Sequence, residues 1–191
     1  MRVFLAILLD PPLRDALRAC VRALQAAHPP ARLRWVGDEQ HHLTLHFLGE
    51  ISPTQVEAVT RALAAIPPPV APLSLTLGGL GAFPSLSRPA TLWAGGKDAG
   101  GGIAARTAEY GRALKTLGFE IDSRPFTPHL TLARVPRDLD PVALREVGAW
   151  FAVRQALAPL PLTQAVRAIH LMRSELLPSG ARYTPVASFS Q

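Results

Sequence analysis

The tetrapeptide His-Leu-Thr-Leu occurs twice in this chain, beginning at His42 and again at His129. Both copies are rich in residues that favour strands, and both alternate polar with apolar side chains, a pattern typical of a half-buried β-strand. Because side chains two residues apart on a strand share a face, His42 and Thr44 point the same way, as do His129 and Thr131. The repeat therefore predicts a fold with two matching halves and a site to which both contribute.

The rest of the chain mixes strands and helices without strict alternation. Apolar and turn residues predict further strands at 2–9, 33–37, 73–80, 90–94, 164–174 and 182–189. Apolar residues at helical spacing predict helices at 11–27, 53–66, 103–117 and 141–151. Five glycines within 95–102 predict a loop, and Ser179-Gly180 predicts a turn. This order favours the α+β class with antiparallel sheets.

A proline-rich stretch at 67–72 is the best candidate for a boundary between two lobes. The halves on either side each hold one motif strand and helices. We therefore expect residues 1–191 to form a single domain of two lobes, each presenting one His-Thr face to a cleft between them.

Composition narrows the class of protein and of partner. The 191 residues are 48% hydrophobic and 18% charged, as in ordinary globular proteins. The net charge of +6 favours an acidic partner such as nucleic acid, although a generally basic proteome would explain it too. The single cysteine, Cys20, falls at helical spacing with leucines and is expected to pack as a small hydrophobe. No stretch approaches the ~18–20 apolar residues of a membrane span, and we expect a cytoplasmic protein.

Two histidines and two threonines in one cleft fit the hydrolysis of a phosphate ester. One histidine can remove a proton from water while the other protonates the leaving oxygen, and hydroxyl groups can bind the phosphate oxygens. The sequence alone does not distinguish the acid from the base. Packed strands with incidental histidines are the alternative, but two complete motifs argue against it.

The other histidines of the first motif do not predict a metal site. His41 is expected to pack in the core or lie at the surface. His46 shares a face with His42 on a regular strand, but four strand residues separate the two side chains by ~13 Å, too far for one metal ion. We expect His46 either at the rim of the cleft or in solvent. No acidic ligand or cysteine cluster accompanies these histidines, and we predict no metal and no cofactor.

The two His-x-Thr-x motifs resemble those of the 2H phosphoesterases, and more narrowly the RNA 2′,3′-cyclic phosphodiesterases, also called 2′-5′ RNA ligases. Further shared segments are RVFLAILL at the start, FLGE after the first motif, Trp93, RPF at 124–126, Arg134 and the closing ARYTP. The resemblance covers most of the chain. It implies a bilobal, pseudo-twofold fold of two mainly antiparallel sheets flanked by helices, with a central cleft. It also implies a monomer that acts on RNA with a 2′,3′-cyclic phosphate end, or on a small nucleotide.

The resemblance also implies roles for individual residues. His42 would be the acid, His129 the base, and Thr44 and Thr131 the phosphate-binding hydroxyls. Arg134 would bind phosphate or ribose, although on a regular strand it would face away from His129, so a strand end or a bulge is needed to turn it back. Further candidates are Phe4, either near the base pocket or in the core, and Arg182 and Tyr183, either near the cleft or at the surface.

Two classes of function remain at this point. The first is an enzyme that opens the cyclic phosphate to a 2′-phosphate and can join RNA ends through a 2′-5′ bond by the reverse step. The second is a non-catalytic RNA-binding module with a basic cleft. The low aromatic content of 6% offers few stacking platforms for such a module, and two complete His-Thr pairs favour the enzyme.

Overall fold

The computed structural model describes residues 1–122, 124–177 and 180–191. Within them the strands are β1 Arg2–Leu8, β2 Arg34–Trp35, β3 His42–Glu50, β4 Leu73–Phe83, β5 Thr91–Asp98, β6 His129–Arg134, β7 Thr163–Val166, β8 Ala168–Leu177 and β9 Gly180–Ser190. The α-helices are α1 Pro11–Ala26, α2 Pro53–Ala64, α3 Gly102–Thr116 and α4 Pro141–Ala152.

The helices begin where side chains can satisfy their first backbone N–H groups. Before α2, the Ser52 hydroxyl accepts a bond from the Gln55 backbone N–H at 3.2 Å, and the Gln55 side chain accepts one from the Ser52 N–H at 2.9 Å. This reciprocal pair of hydrogen bonds is a capping box. Asp10 and Asp140 cap α1 and α4 with their carboxylates. The predicted starts of these three helices are confirmed.

The strands form two antiparallel sheets. The first has the order β3-β1-β8-β9, and the second has the order β2-β6-β5-β4-β7. The predicted α+β class with antiparallel sheets is confirmed. The stretch 67–72 carries the chain from the first sheet to the second, but it is not the only crossing. The last two strands return to the first sheet, and the short β2 belongs to the second, so each sheet draws strands from both ends of the chain.

The helices cross over between the sheets. The helix α1 follows a strand of the first sheet, yet Leu17 and Leu24 pack in the core of the second sheet together with Leu132. Conversely, α3 follows a strand of the second sheet, and its Tyr110 packs in the core of the first sheet together with Leu43. The helix α2 covers the first sheet and α4 covers the second. Each sheet therefore has one face under helices and one face free for the cleft.

Two predicted elements differ from the structure. The expected loop at 95–102 is partly strand, because β5 continues through Gly95 and Gly96. A Cβ on Gly95 would lie 2.7 Å from the carbonyl oxygen of Gly78, so glycine is needed there for close strand packing rather than for a turn. The expected strand at 164–174 is two strands, β7 and β8, that pair in different sheets. Of the expected turn, Ser179 lies outside the described residues.

Candidate active site

A β-bulge interrupts the first motif strand just after its threonine. On β1, Leu5 and Ala6 are consecutive, yet they pair with His46 and Thr44, which are two residues apart on β3. Leu45 is therefore the extra residue of the bulge, and side-chain alternation shifts by one position after it. Leu45 and His46 are both buried on the helix-covered face.

This bulge overturns both locations expected for His46. The side chain is only 8% exposed, and its Nε2–H donates to the carbonyl oxygen of Thr107 on α3 at 2.7 Å. Gly111 leaves room for the imidazole, since a Cβ there would lie 3.2 Å from the ring. His46 thus joins β3 to α3 instead of lying at the rim of the cleft or in solvent. Phe47 takes the cleft face in its place and is 65% exposed.

The second motif strand carries the same irregularity at the same point. On β5, Leu92 and Trp93 are consecutive, but they pair with Ala133 and Thr131 on β6. Leu132 is the extra residue here. The shift turns Arg134 onto the face of Thr131, where it lines the cleft. On a regular strand this arginine would face away from the cleft. A bulge, one of the two irregularities that the sequence analysis considered, is present.

A cleft of about 630 Å³ lies between the two motif strands and contains all six of the predicted site residues. They are Phe4, His42, Thr44, His129, Thr131 and Arg134. Tyr183 also lines the cleft, whereas its neighbour Arg182 is 62% exposed and pairs with Glu175 on the surface. Of the last two candidates, Tyr183 is near the cleft and Arg182 is a surface residue.

Backbone carbonyls orient both motif histidines in the same way. His42 Nδ1 lies 2.7 Å from the carbonyl oxygen of Gln40, and His129 Nδ1 lies 2.8 Å from that of Thr127. A carbonyl only accepts hydrogen bonds, so each Nδ1 carries the proton and Nε2 is left for chemistry. The Gln40 side chain donates to the carbonyl of Ala181 on β9, which holds the segment before His42 in place.

Aromatic rings surround each histidine. The His42 ring lies 4.7 Å from Phe4 and 5.0 Å from Tyr183, measured between centroids. The His129 ring lies 4.8 Å from Phe83, which meets it edge-on. Phe4 is 3% exposed, so the two interpretations of this residue, core packing and proximity to the site, are compatible.

Burial changes the protonation of His42. Loss of hydration lowers the pKa of its imidazole below the ordinary 6.5, and the nearby charges of His41 and His129 act in the same direction. The carbonyl of Gln40 opposes this shift. In the free protein the neutral form of His42 is therefore favoured. His41 itself is 6% exposed, so it packs in the interior.

Two lining residues, Phe83 and Arg34, had no signal in the sequence. Phe83 lies on a strand, where an aromatic residue is normally a sign of packing. Arg34 looked like one of many surface arginines. Only the pairing of strands brings these side chains to the cleft.

No group of three or more histidine, cysteine or acidic side chains in the described part of the chain could hold a metal ion. Among the helices of residues 1–122, 124–177 and 180–191, none has the length and apolar character needed to cross a membrane. Cys20 is buried, and burial raises the pKa of its thiol to about 11, which agrees with a packing role.

A family model described as LigT-like phosphoesterase matches residues 7–93 and 97–183. The chain belongs to the LigT-like phosphoesterase family. The match spans both motifs, and the resemblance to the 2H phosphoesterases is confirmed. Each of the two matched ranges contains one of the motifs.

Relatives of this LigT-like phosphoesterase include named enzymes. An RNA 2′,3′-cyclic phosphodiesterase of Thermus thermophilus is 33% identical over all of this chain and 90% of its own length. One of Geobacillus stearothermophilus is 39% identical over 60% of this chain, but the match covers only 37% of that protein. A structure of E. coli LigT complexed with 3′-AMP is 26% identical and superposes with a TM-score of 0.74, covering 99% of this chain and 97% of that one.

Proposed function

We propose that this protein hydrolyses the 2′,3′-cyclic phosphate of RNA ends or small nucleotides to a 2′-phosphomonoester by two-histidine acid-base catalysis. The observation that carries the proposal is the matched orientation of His42 and His129. Each lines the cleft from a different sheet, and each has its Nδ1 engaged by a backbone carbonyl. The names of the relatives support the choice of substrate.

The proposed reaction is one in-line displacement at phosphorus. Nε2 of neutral His129 takes a proton from water as the water oxygen bonds to phosphorus. The bond to the ribose 3′ oxygen breaks on the opposite side, and protonated His42 gives its Nε2 proton to that oxygen. The phosphate remains on the 2′ oxygen. His129 ends protonated and His42 neutral, and exchange with solvent restores both.

The two threonines are proposed to bind the equatorial phosphate oxygens. Thr44 and Thr131 each lie two residues after a motif histidine on the cleft face, before the bulge changes the alternation. Their hydroxyls are neutral donors that can hydrogen-bond to the equatorial oxygens as negative charge redistributes over these oxygens in the transition state. Arg134 adds a permanent positive charge on the same face of the cleft, which attracts an anionic substrate.

Substrate binding favours the protonated form that His42 needs as an acid, and the proton itself comes from solvent. In the free protein burial lowers the pKa of His42, which works against the protonated form. The cyclic phosphate is an anion, and an anion beside an imidazole favours the imidazolium form. The substrate itself would thus prepare its own acid. This coupling is a reason for placing the acid, rather than the base, in the more buried aromatic setting.

The nucleoside of the substrate is proposed to lie on the aromatic side of the cleft. Phe4, Phe47 and Tyr183 line it there, next to His42. Such rings provide a surface on which any base can stack. The complex of E. coli LigT with 3′-AMP supports nucleotide binding by this fold.

The same geometry accommodates ligation. If the 5′-hydroxyl of a second RNA replaces water, His129 removes its proton, the 3′ oxygen leaves with the proton from His42, and a 2′-5′ phosphodiester forms. No additional group is required. Incubation of a cyclic-phosphate end with a 5′-hydroxyl RNA at high concentration should therefore give some 2′-5′ joined product.

The test is an assay of the purified protein with RNA that ends in a 2′,3′-cyclic phosphate, in excess chelator. Phosphorus NMR of the product should show a 2′-monophosphate as the single regioisomer. A 3′-phosphate would overturn the orientation, and an equal mixture would overturn a fixed substrate pose. Tight RNA binding without turnover would instead support the non-catalytic binding module. Loss of turnover in chelator, restored by a divalent metal, would contradict a reaction that needs only side chains.

A further inference from the structure

We propose that Arg34 and Arg134 form a second phosphate subsite that binds the phosphodiester on the 5′ side of the terminal nucleotide. The subsite would make an RNA end a better substrate than a nucleoside 2′,3′-cyclic phosphate. This inference rests on the proposed function and names the part of the substrate that the two motifs leave unbound.

The subsite is a row of side chains across three strands. Arg34 on β2 lies directly opposite Arg134 on β6, and Thr91 on β5 lies opposite Arg134 from the other side. All three line the cleft. Residues directly opposite on neighbouring strands project from the same face, so two guanidinium groups and one hydroxyl stand side by side there.

Like charges directly opposite in a sheet repel each other, so an anion bound between Arg34 and Arg134 would stabilise their pairing. No aspartate or glutamate is found among the described residues that line the cleft. A carboxylate lies within 4 Å of six other arginines of the described chain, although not of every one; the six are Arg14, Arg18, Arg106, Arg124, Arg173 and Arg182. The remaining arginine of the cleft, Arg2, lies opposite Glu50. Within the described cleft no carboxylate faces Arg34 and Arg134, so the pair is open to an anion from outside the chain.

The pair is set apart from the reacting phosphorus. Because Leu132 bulges out, Thr131 and Arg134 pair with Trp93 and Thr91, which are two residues apart on β5, a separation of roughly 7 Å along the sheet. The backbone of Arg34 on β2 lies about 4.8 Å to the side of Arg134, and therefore roughly 8 Å from that of Thr131. A neighbouring phosphate of the same RNA strand would fit this spacing. On β3 the cleft-facing position that corresponds to Arg134 is Phe47. The pair of arginines therefore lies at the end of the cleft formed by the second sheet.

These positions give the substrate a direction. The terminal base would stack against the rings near His42, and the sugar-phosphate chain would leave past the arginine pair on the second sheet. A nucleoside cyclic phosphate lacks the second phosphate and would leave the pair without its anion. A planar guanidinium pair recognises phosphate oxygens bidentately, so lysine at position 34 should be a poorer substitute than its charge suggests.

Three substrates separate this subsite from the main one. They share the same terminal cyclic phosphate and carry a 5′-hydroxyl, a 5′-phosphate, or a further nucleotide joined through a phosphodiester. For the unchanged protein, kcat/KM should rise about tenfold when either form of the second phosphate is present, the gain expected for one charge-assisted contact. In Arg34→Gln this gain should shrink to about twofold, and Arg34→Lys should fall between the two proteins.

Binding provides a readout that does not depend on turnover. The affinity for a single-stranded RNA oligonucleotide that ends in a 2′-phosphate should lose salt dependence in Arg34→Gln, with the slope of log affinity against log salt reduced by about 0.7 for one phosphate contact. Arg112→Gln is the matched control, because Arg112 is an exposed arginine on α3 outside the cleft. It should keep the slope and the substrate preference of the unchanged protein. Thermal melting of all variants checks that each is folded.

The outcomes separate failure of this inference from failure of the proposed function. Equal kcat/KM for the three substrates, or a gain that survives Arg34→Gln, would overturn the subsite while leaving cyclic phosphodiesterase activity in place. Absence of turnover with every substrate would overturn the proposed function itself. A gain with the 5′-phosphate but none with the dinucleotide would also overturn the subsite as stated, because it would show selection for a free phosphomonoester.

Discussion

At the residue scale, the two motif histidines differ from the third histidine of the first motif in which ring nitrogen they leave free. His42 and His129 use Nδ1 to bind a carbonyl, whereas His46 uses Nε2 to bind the carbonyl of Thr107. The first two therefore offer the nitrogen at the outer end of the ring to the cleft, and the third is bound to a helix. The same side chain serves two purposes because its backbone setting differs.

Removal of either motif histidine should abolish most turnover. We expect His42→Ala and His129→Ala each to lower kcat by roughly 10²–10⁴-fold, the usual contribution of one acid or base. The double variant should be little worse than either single one, since the two groups act in one step. Steady-state kinetics on a cyclic-phosphate RNA measures this.

The control for this comparison is His28→Asn. His28 is exposed, lies outside the cleft and has a φ of 48°, a conformation that asparagine tolerates. It should keep normal turnover. Near-normal turnover of a folded His42→Ala protein would contradict the two-histidine mechanism.

The pH dependence should reveal the effect of substrate on His42. An acid must be protonated, so activity falls as pH rises through its pKa. In the free protein burial lowers the pKa of His42 below 6.5, and this fall should appear at low pH in kcat/KM, which reports the free enzyme. The bound phosphate anion raises the pKa, so the same fall should appear at higher pH in kcat. Coincident alkaline limbs in the two profiles would count against His42 as the acid.

At the scale of elements, the two bulges decide which residues reach the cleft. Alternation along the sequence correctly places each histidine and threonine on one face, because these residues precede the bulge. Beyond it, alternation alone fails for His46, which the structure places in the core, and for Phe47, which it places in the cleft. A bulge depends on the register with the neighbouring strand, and that strand is distant in sequence. Local pattern therefore cannot locate it.

The contact between His46 and α3 should appear as a coupling between two substitutions. Alanine is favoured over glycine inside a helix by about 1 kcal/mol, so Gly111→Ala should stabilise a helix with free space beside it. Here the new methyl group would meet the His46 ring at 3.2 Å and the Ile121 side chain at 3.3 Å. We expect Gly111→Ala to gain less stability in the unchanged protein than in a His46→Ala background. Urea unfolding of the four proteins measures the difference, and equal effects in both backgrounds would rule out the contact as described.

At the scale of the whole molecule, the sequence predicts the class, the two antiparallel sheets and most helices, but not which strand joins which sheet. The starts of α1, α2 and α4, at Pro11, Pro53 and Pro141, depend on local signals and are found as expected. The sequence of α1 and α3 does not indicate that each packs on the sheet to which its preceding strand does not belong. An apolar stripe shows that one face of a helix is buried, but it does not identify the sheet that buries it. The break at Arg167 is hidden for the same reason, since both flanking strands have apolar alternation.

Buried histidines should make the protein sensitive to mild acid. Burial lowers the pKa values of His41, His42 and His46 below 6.5 in the folded protein. As pH falls below 6.5 the unfolded chain therefore takes up protons first, and the free energy of unfolding decreases. Urea midpoints should fall steadily between about pH 7 and about pH 5, a range in which ordinary carboxylates stay mostly ionised.

His46→Gln provides the internal comparison for this acid effect. It keeps a donor for the Thr107 carbonyl but removes one titrating group, so the midpoint should fall less steeply with acid. Midpoints that do not move over this range would show that burial leaves these histidines unperturbed. A slope that His46→Gln leaves unchanged would assign the effect to the other histidines whose pKa burial lowers, His41, His42 and His170.

The position of β1 governs how this protein can be made. β1 lies between β3 and β8 in its sheet, and β8 and β9 are the last strands of the chain. As the ribosome releases the polypeptide, β1 can pair with β3 early, but its other edge has no partner until the C-terminal hairpin emerges. An unpaired strand edge is a template for association with other chains. Premature termination within the last two strands should therefore give a nascent fragment that aggregates rather than a smaller active enzyme. A soluble product requires that both strands be synthesised.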